Sequence, residues 1–408
     1  VITTYYSVII GWSLAYTYFA IPQSWGTDTG DFLFNKYLGL SDTWNASWLG
    51  GLQWKVVLPL LIVWAIVYAV LVRGVKEGIE KANKIFMPAL FILIIVMAIR
   101  GITLDGAVDG LNALFTPDWS GIANASTWLA AYGQIFFSLS VAFAIMITYS
   151  SYLPEKSDIN NNAFITAFAN SGFSMLAGIA VFSALGFMAA QQGVSVDEVA
   201  AGGVGLAFAV FPQILNEMPL GNVIGVLFFL SLVFAGLSSL ISIVETFIAA
   251  TADKFNLERK KAVNWSVGVA AVLSLLFATG SGLYLLDVVD HFINNFGIAL
   301  VGLLEAVIIG WVLNNTSKLR EYNNKLSDFR IGTWWNFFLI VITPSVLGYM
   351  AIKQISTEVS ENYGGYSDGL IAIGWAVAIL ALVIGFYLQS VKSENAEFYK
   401  LEKEDEAA

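Results

Sequence analysis

Long apolar stretches separated by short polar ones run through the whole chain, and none alternates with the two-residue period of a strand. A hydrocarbon core about 30 Å thick needs roughly 20 apolar helical residues to cross it. Ten stretches fit: 1–20, 55–73, 85–103, 128–150, 161–187, 222–251, 262–279, 286–313, 334–353 and 368–390. They predict an all-α protein with ten membrane-spanning helices. A membrane barrel would show short alternating segments instead. Three connections are longer, 21–54, 104–127 and 188–221. The last contains GVGLAFAVFPQIL, which is too short, and too interrupted by Pro212, to span. It predicts a helical hairpin dipping toward the membrane.

The fourth stretch is polar in its middle. In GQIFFSLSVAFAIMITYS (133–150), Ser138 and Ser140 sit among Phe136, Phe137, Val141 and Phe143, with Ala142 as a small neighbour. Lipid offers no hydrogen-bond partners, so irregular backbone at this depth is tolerated only where it lines a cavity. The pattern predicts an opened helix whose freed backbone groups meet a buried solute, as in a transporter.

Composition agrees with the pattern. The 408 residues are 57% hydrophobic and 12% charged, far too apolar for a soluble protein of this size. With no cysteine there is no disulfide or thiolate metal site, and one histidine excludes a histidine-rich zinc site. No HExxH, Walker or GxSxG pattern occurs, so an enzyme is poorly supported. The net charge of −10 is spread through the loops and ends in Glu402, Glu404 and Glu406, and no nucleic-acid patch is present. The chain starts at Val1 inside an apolar segment without a charged leader region, which reads as a helix entered partway rather than a signal peptide.

Threading ten helices alternately puts sixteen of the twenty Lys and Arg residues on one side. These are Arg73, Lys76, Lys81, Lys84, Lys156, Lys254, Arg259, Lys260, Lys261, Lys318, Arg320, Lys325, Arg330, Lys392, Lys400 and Lys403. Lys36, Lys55, Arg100 and Lys353 fall on the other. This bias predicts a cytoplasmic C-terminus.

In FAGLSSLISIVE (234–245), Ala235, Ser238, Ser239 and Ser242 share one helical face. Small residues of this kind commonly serve close helix packing. The other reading is a weak site for a small hard cation, built from hydroxyls and nearby carbonyls. Asn170, in FANSGFSMLAG, is either a helix-to-helix hydrogen-bonding group or another oxygen ligand. Ionisable residues at membrane depth are costly and raise functional hypotheses. Glu245 and Glu305 read as structural anchors before proton relays. Asp287 and Asp290 are expected to open their helix at the interface, with Asp290 as half of a gate in the other reading. His291, beside them, is expected to be an interfacial polar residue.

GQIFFSLS, then TYSSY, FAGLSS and LDVVDHFINNFG, in that order, resemble the neurotransmitter:sodium symporter family, and most closely its bacterial amino-acid transporters. The resemblance runs from the first segment to the last. It implies a leucine-transporter-like fold of two inverted five-helix repeats followed by two peripheral helices. The ten segments would be the third to twelfth of twelve helices, with the first two lacking, among them the unwound helix that contributes to both sodium sites. On this reading, 1–408 is one transporter domain. Residues 1–103 are the remainder of the first repeat, 128–313 the second repeat, 334–390 the peripheral helices and 391–408 a cytoplasmic tail.

The resemblance also implies roles. Tyr6 matches a tyrosine near the substrate carboxylate, and Phe137 the aromatic lid over the substrate. Ser140 and Phe143 line the pocket, with Ile2 and Ile243 against the substrate side chain and Ser239 beside it. Ser138 and Asn170 match the first sodium site, while the Ala235 carbonyl and the Ser238 and Ser239 hydroxyls match the second. That turns the serine face from packing toward ion binding. Asp290 matches the outer gate, and Tyr152 with Asp253 the inner one. Gly78 and Pro88 fall where local unwinding would wet a sodium site from inside. Ala142 replaces a common glycine. Ser174 stands where chloride-dependent members have serine and others a carboxylate, which makes chloride a candidate second ion.

The sequence therefore predicts a sodium-coupled symporter of the inner (plasma) membrane carrying a hydrophobic or aromatic amino acid by alternating access. A proton-coupled carrier of the same fold is one rival, and a non-transporting channel or receptor-like protein another. Oligomeric state is not legible.

Overall fold

The computed structural model describes residues 1–41, 44, 49–199 and 202–391, so the tail from 392 to 408 lies outside the described residues. The described chain is helical almost throughout, and the one β-bridge within it joins Leu52 to Thr279. Its principal helices are α1 (Ile2–Ala20), α2 (Trp54–Leu71), α3 (Lys81–Ile102), α4 (Ala125–Ser138), α5 (Ile145–Ser150), α6 (Ile159–Gln192), α7 (Gly221–Phe255), α8 (Arg259–Ser274), α9 (Gly282–Phe292), α10 (Ala299–Val307), α11 (Thr343–Ser360) and α12 (Asp368–Ser390). With short π-helical or 3₁₀ turns joining some of these, eight helices among the described residues are long and apolar enough to cross a membrane.

The two other expected spans depart from that standard for visible reasons. In α1, Thr4, Ser7, Ser13 and Thr17 lower the apolar content. Each hydroxyl donates to a carbonyl three or four residues earlier, so the helix satisfies its own polar groups. The fourth stretch is cut into α4 and α5. Several spans also outrun their apolar cores. The helix holding α3 begins at Val75, where Lys81 and Lys84 pair with Glu77 and Glu80 at i,i+4. The helix holding α11 runs from Thr333 to Gly365, well past the expected end at 353. It is continued by polar residues that find partners, as described below.

Two compact units are built from interleaved stretches of chain: 1–117, 172–252 and 257–286 form the first, and 118–171, 253–256 and 287 onward the second. In the first, α1 packs on α2 and α7. Gly236 gives Ile10 room, since a Cβ there would come within 2.6 Å of it. The expected dipping hairpin is a helical run from Gly203 to Glu217 whose apolar side is covered. Phe208 meets Trp12 and Tyr16 edge-on, and Phe211 stacks on Phe228 at 4.2 Å. In the second unit, α10 lies along α11, Phe292 packs against Gly374 of α12, and Phe164 of α6 meets Phe329 at 4.8 Å.

Candidate functional site

The interruption between α4 and α5 falls on the residues whose pattern predicts it. Ser140, Ala142 and Ala144 have φ of 52°, 66° and 57°, a left-handed conformation that costs a residue with a Cβ roughly 1–2 kcal/mol each. The helix ends as the Leu139 amide donates to the Ile135 carbonyl, Ser140 to Phe137 and Val141 to Phe136. It restarts where Thr148 donates to Ala144. Among the described residues, the amides of Ala142 and Phe143 find no main-chain carbonyl. Such strain persists only where surroundings enforce it. Here α10 leans on the break: a Cβ on Gly302 would come within 2.7 Å of Phe136 and 3.2 Å of Ala142. Glycine at 302 lets the helix close on the interrupted stretch.

At the end of α4, Ser138 is joined to α6 by the Asn170 amide, whose Nδ2 donates to Ser138 Oγ at 3.1 Å. Ser138 Oγ donates in turn to the Ile135 carbonyl at 3.3 Å. Asn170 Oδ1 accepts no hydrogen bond from a described residue, and the carbonyls released by the break lie close in sequence to Ser138. Neutral oxygens of this kind suit a small hard cation and hold it weakly enough to release it.

The second cluster lies in the first unit. Ser238 Oγ donates to the Ala235 carbonyl at 2.9 Å, and Ser242 Oγ to the Ser238 carbonyl at 3.0 Å. The Ser239 hydroxyl is hydrogen-bonded to that of Tyr6 on α1, so two expected substrate-side residues meet. Ile2 and Ile243 lie in the same unit, each partly exposed. Ser174 is exposed, one turn beyond Asn170 along α6.

Phe137 is partly buried, edge-on to Phe136 at 5.5 Å. Both rings wall a cleft of 280 Å³ closed by Asn295, Leu347, Met350 and Gln354. Ser140 and Phe143 lie within the break, half-exposed. Tyr152 and Asp253 belong to the second unit and are exposed. Asp290 accepts from Asn294 Nδ2 at 2.8 Å.

The family model described as Sodium:neurotransmitter symporter family matches residues 23–394. An uncharacterised sodium-dependent transporter of Methanocaldococcus jannaschii is 40% identical over 394 residues, 96% of this chain and 80% of that protein. The chain belongs to the sodium:neurotransmitter symporter family. Membership in a transporter family places it outside the enzymes. A sodium-dependent dopamine transporter of Bos taurus is 29% identical over 88% of the chain. A sodium- and chloride-dependent glycine transporter 2 of Xenopus laevis is 28% identical over 87%. The chain spans 52% and 45% of the length of those two animal relatives.

Several expectations are corrected around Asp290. α9 begins at Gly282, so Asp287 and Asp290 lie inside the helix rather than at its opening. Asp287 accepts hydrogen bonds from Tyr366 at 2.8 Å and Tyr363 at 3.1 Å. His291 is largely buried: its side chain is 11% exposed, its Nε2 lies 2.6 Å from Glu358 Oε1, and its ring stacks on Tyr363 at 3.6 Å. Gln354 donates to the same Glu358 oxygen at 3.1 Å. Sequence reading passed over Glu358 and Gln354 because the apolar run ends at 353. Their i,i+4 spacing was the available signal.

Glu245 is an anchor. Fully buried, it takes both terminal nitrogens of Arg259 at 2.8 Å, and that guanidinium also donates to the Leu71 carbonyl. Glu305, half-buried on α10, bonds to no described residue. Gly78 marks a close approach, since a Cβ would run into the Val70 carbonyl, and the helix continues unbroken through Pro88.

Proposed function

We propose that this member of the family couples sodium movement down its gradient to uptake of a hydrophobic or aromatic amino acid across the inner (plasma) membrane. The single observation that carries the reading is the strained break between α4 and α5, with the Asn170–Ser138 pair at its edge. In this reading Ser138 and Asn170 hold one sodium, and the Ala235 carbonyl with Ser238 and Ser239 holds a second. Tyr6, Ser140, Phe143, Ile2 and Ile243 surround the cargo, and Phe137 closes over it. Asp290 serves the outer gate, Tyr152 and Asp253 the inner one. The segments 1–103 and 128–313 are inverted-repeat elements, 334–390 are peripheral, and the C-terminus is cytoplasmic. The apolar and aromatic lining favours leucine-like, tyrosine-like or tryptophan-like cargo over a charged one.

Uptake of radiolabelled leucine, tyrosine and tryptophan into proteoliposomes, with and without an inward sodium gradient, tests the proposal. Sodium-driven uptake is expected, and Ser238→Ala and Asn170→Ala are each expected to weaken the sodium dependence by about tenfold or more. Replacing chloride tests Ser174, whose hydroxyl would complete a chloride site; uptake indifferent to chloride discards that ion. The proton-coupled rival has Glu305 in its favour, a half-buried carboxyl without a described partner. Sodium-independent uptake abolished by Glu305→Gln would replace sodium with protons.

A further inference from the structure

Between the helix Thr316–Leu326 and the start of the next span at Thr333, the second unit holds a cleft of 520 Å³. Arg320, Lys325 and Arg330 line it against a single carboxylate, Glu321. Among the described residues, no ion pair involves any of these three cations. The walls are nonetheless fixed. The Asn324 side chain clamps the Ile331 backbone, accepting from its amide and donating to its carbonyl, both at 2.9 Å. Arg320 donates to Asn336 Oδ1 at 3.2 Å, so a neutral amide steadies the guanidinium without cancelling its charge.

The surface around the cleft says what kind of anion fits. On the helix that follows, Trp334 and Phe337 are 49% and 53% exposed, and Trp311 on the preceding one is 59% exposed. Trp311 Nε1 donates to the Ile340 carbonyl at 2.8 Å, tying the two helix ends together. Tryptophans gather at the level of lipid headgroups. By that rule the exposed tryptophans suit this end of the span to headgroup depth, and Trp334, which lies against the cleft residue Gly332, offers an apolar surface to acyl chains. Basic pockets in such positions bind acidic headgroups. A soluble phosphate would use the cations and leave the aromatic wall idle.

We propose that this cleft binds the phosphate-bearing headgroup of an anionic phospholipid, with its acyl chains along Trp334, Phe337 and Trp311. The guanidinium groups of Arg320 and Arg330 are suited to paired hydrogen bonds with phosphate oxygens, and Lys325 adds a point charge.

The test is native mass spectrometry and thermal unfolding of the protein in neutral detergent. Phosphatidylglycerol, phosphatidylcholine or glycerol 3-phosphate is titrated in. Retained phosphatidylglycerol adducts and a raised unfolding midpoint are expected, with little effect of phosphatidylcholine. The Arg320→Gln/Lys325→Gln/Arg330→Gln variant should bind phosphatidylglycerol at least about tenfold more weakly. Should that variant fail to fold, Lys325→Gln alone removes an exposed charge that makes no structural bond, and it is still expected to weaken binding. Equal binding of phosphatidylcholine, unchanged binding by Lys325→Gln and the triple variant, or full reproduction of the effect by glycerol 3-phosphate would each overturn the lipid site.

Discussion

At Glu245 the sequence leaves two roles open, proton relay and anchor, and the geometry decides between them. A fully buried carboxylate held by both terminal nitrogens of Arg259 ties α7 to the start of α8 and, through that guanidinium's bond to the Leu71 carbonyl, to the end of α2. Removing one member of a buried pair leaves the other's charge uncompensated, at a cost of about 3 kcal/mol or more. Glu245→Ala should therefore lower thermal stability in detergent strongly, and the Glu245→Ala/Arg259→Ala double variant should recover part of the loss. If the single variant unfolds like the parent, the anchor assignment fails. Ser138, Asn170, Ser238 and Ala235 were legible as oxygen-bearing residues at membrane depth. The Asn170–Ser138 pairing at 3.1 Å was not, because it depends on which helix faces come together, whereas Ser238 reaches the Ala235 carbonyl at 2.9 Å within one turn of α7. The partner of His291 was hidden for the same reason. Nothing near it in sequence announces Glu358, 67 residues away, which buries it.

Among the elements, the interrupted helix gives the sharpest contrast between pattern and coordinates. Ser138 and Ser140 marked the place of the break in an otherwise apolar run. No residue there is a glycine, so nothing in the sequence signalled three left-handed residues in alternate positions. The spans themselves were readable because apolar length is a property of one segment. Their ends were not, since α11 and α3 continue on polar residues whose partners are elsewhere in the fold or one turn away. The break makes a prediction of opposite sign from that of an ordinary helix. Inside a continuous helix, Ala→Gly costs about 1 kcal/mol. At Ala142, with φ of 66°, glycine relieves the left-handed strain and should leave the unfolding midpoint unchanged or raised. Ala142→Val, β-branched in the same conformation, should lower the stability by about 1–3 kcal/mol and the midpoint with it. Destabilisation by glycine with tolerance of valine would mean that the helix runs through.

Across the whole molecule, loops far apart in sequence are tied by a few polar contacts that no local pattern predicts. In the first unit, Gln23 donates to the Leu215 carbonyl, Trp25 to Asn216, and Asn216 back to the Gly26 carbonyl. A second tie joins Leu49–Gln53 to Ala278–Ser281, where Gly280 fits because a Cβ would come within 2.9 Å of the Gly39 carbonyl. The second unit has one centred on Asp158, just before α6. Its two oxygens accept from the amides of Asn161 at 3.0 Å and Asp328 at 2.9 Å, closing a separation of 170 residues in the second case. The Asp328 and Asn161 amides, in that order, hold this carboxyl below its ordinary 3.8. A carboxylate with a lowered folded-state pKa stabilises the fold above the unfolded-state value, and that contribution disappears as pH falls through the folded-state pKa. Thermal unfolding of the parent should therefore lose stability through this group as pH falls below the unfolded-state value of about 4. Asp158→Ala should start less stable at neutral pH and show a shallower acid slope, because both amides have already lost their acceptor. A variant whose acid slope matched the parent's would show that Asp158 does not join α6 to the segment around Asp328 through its charge.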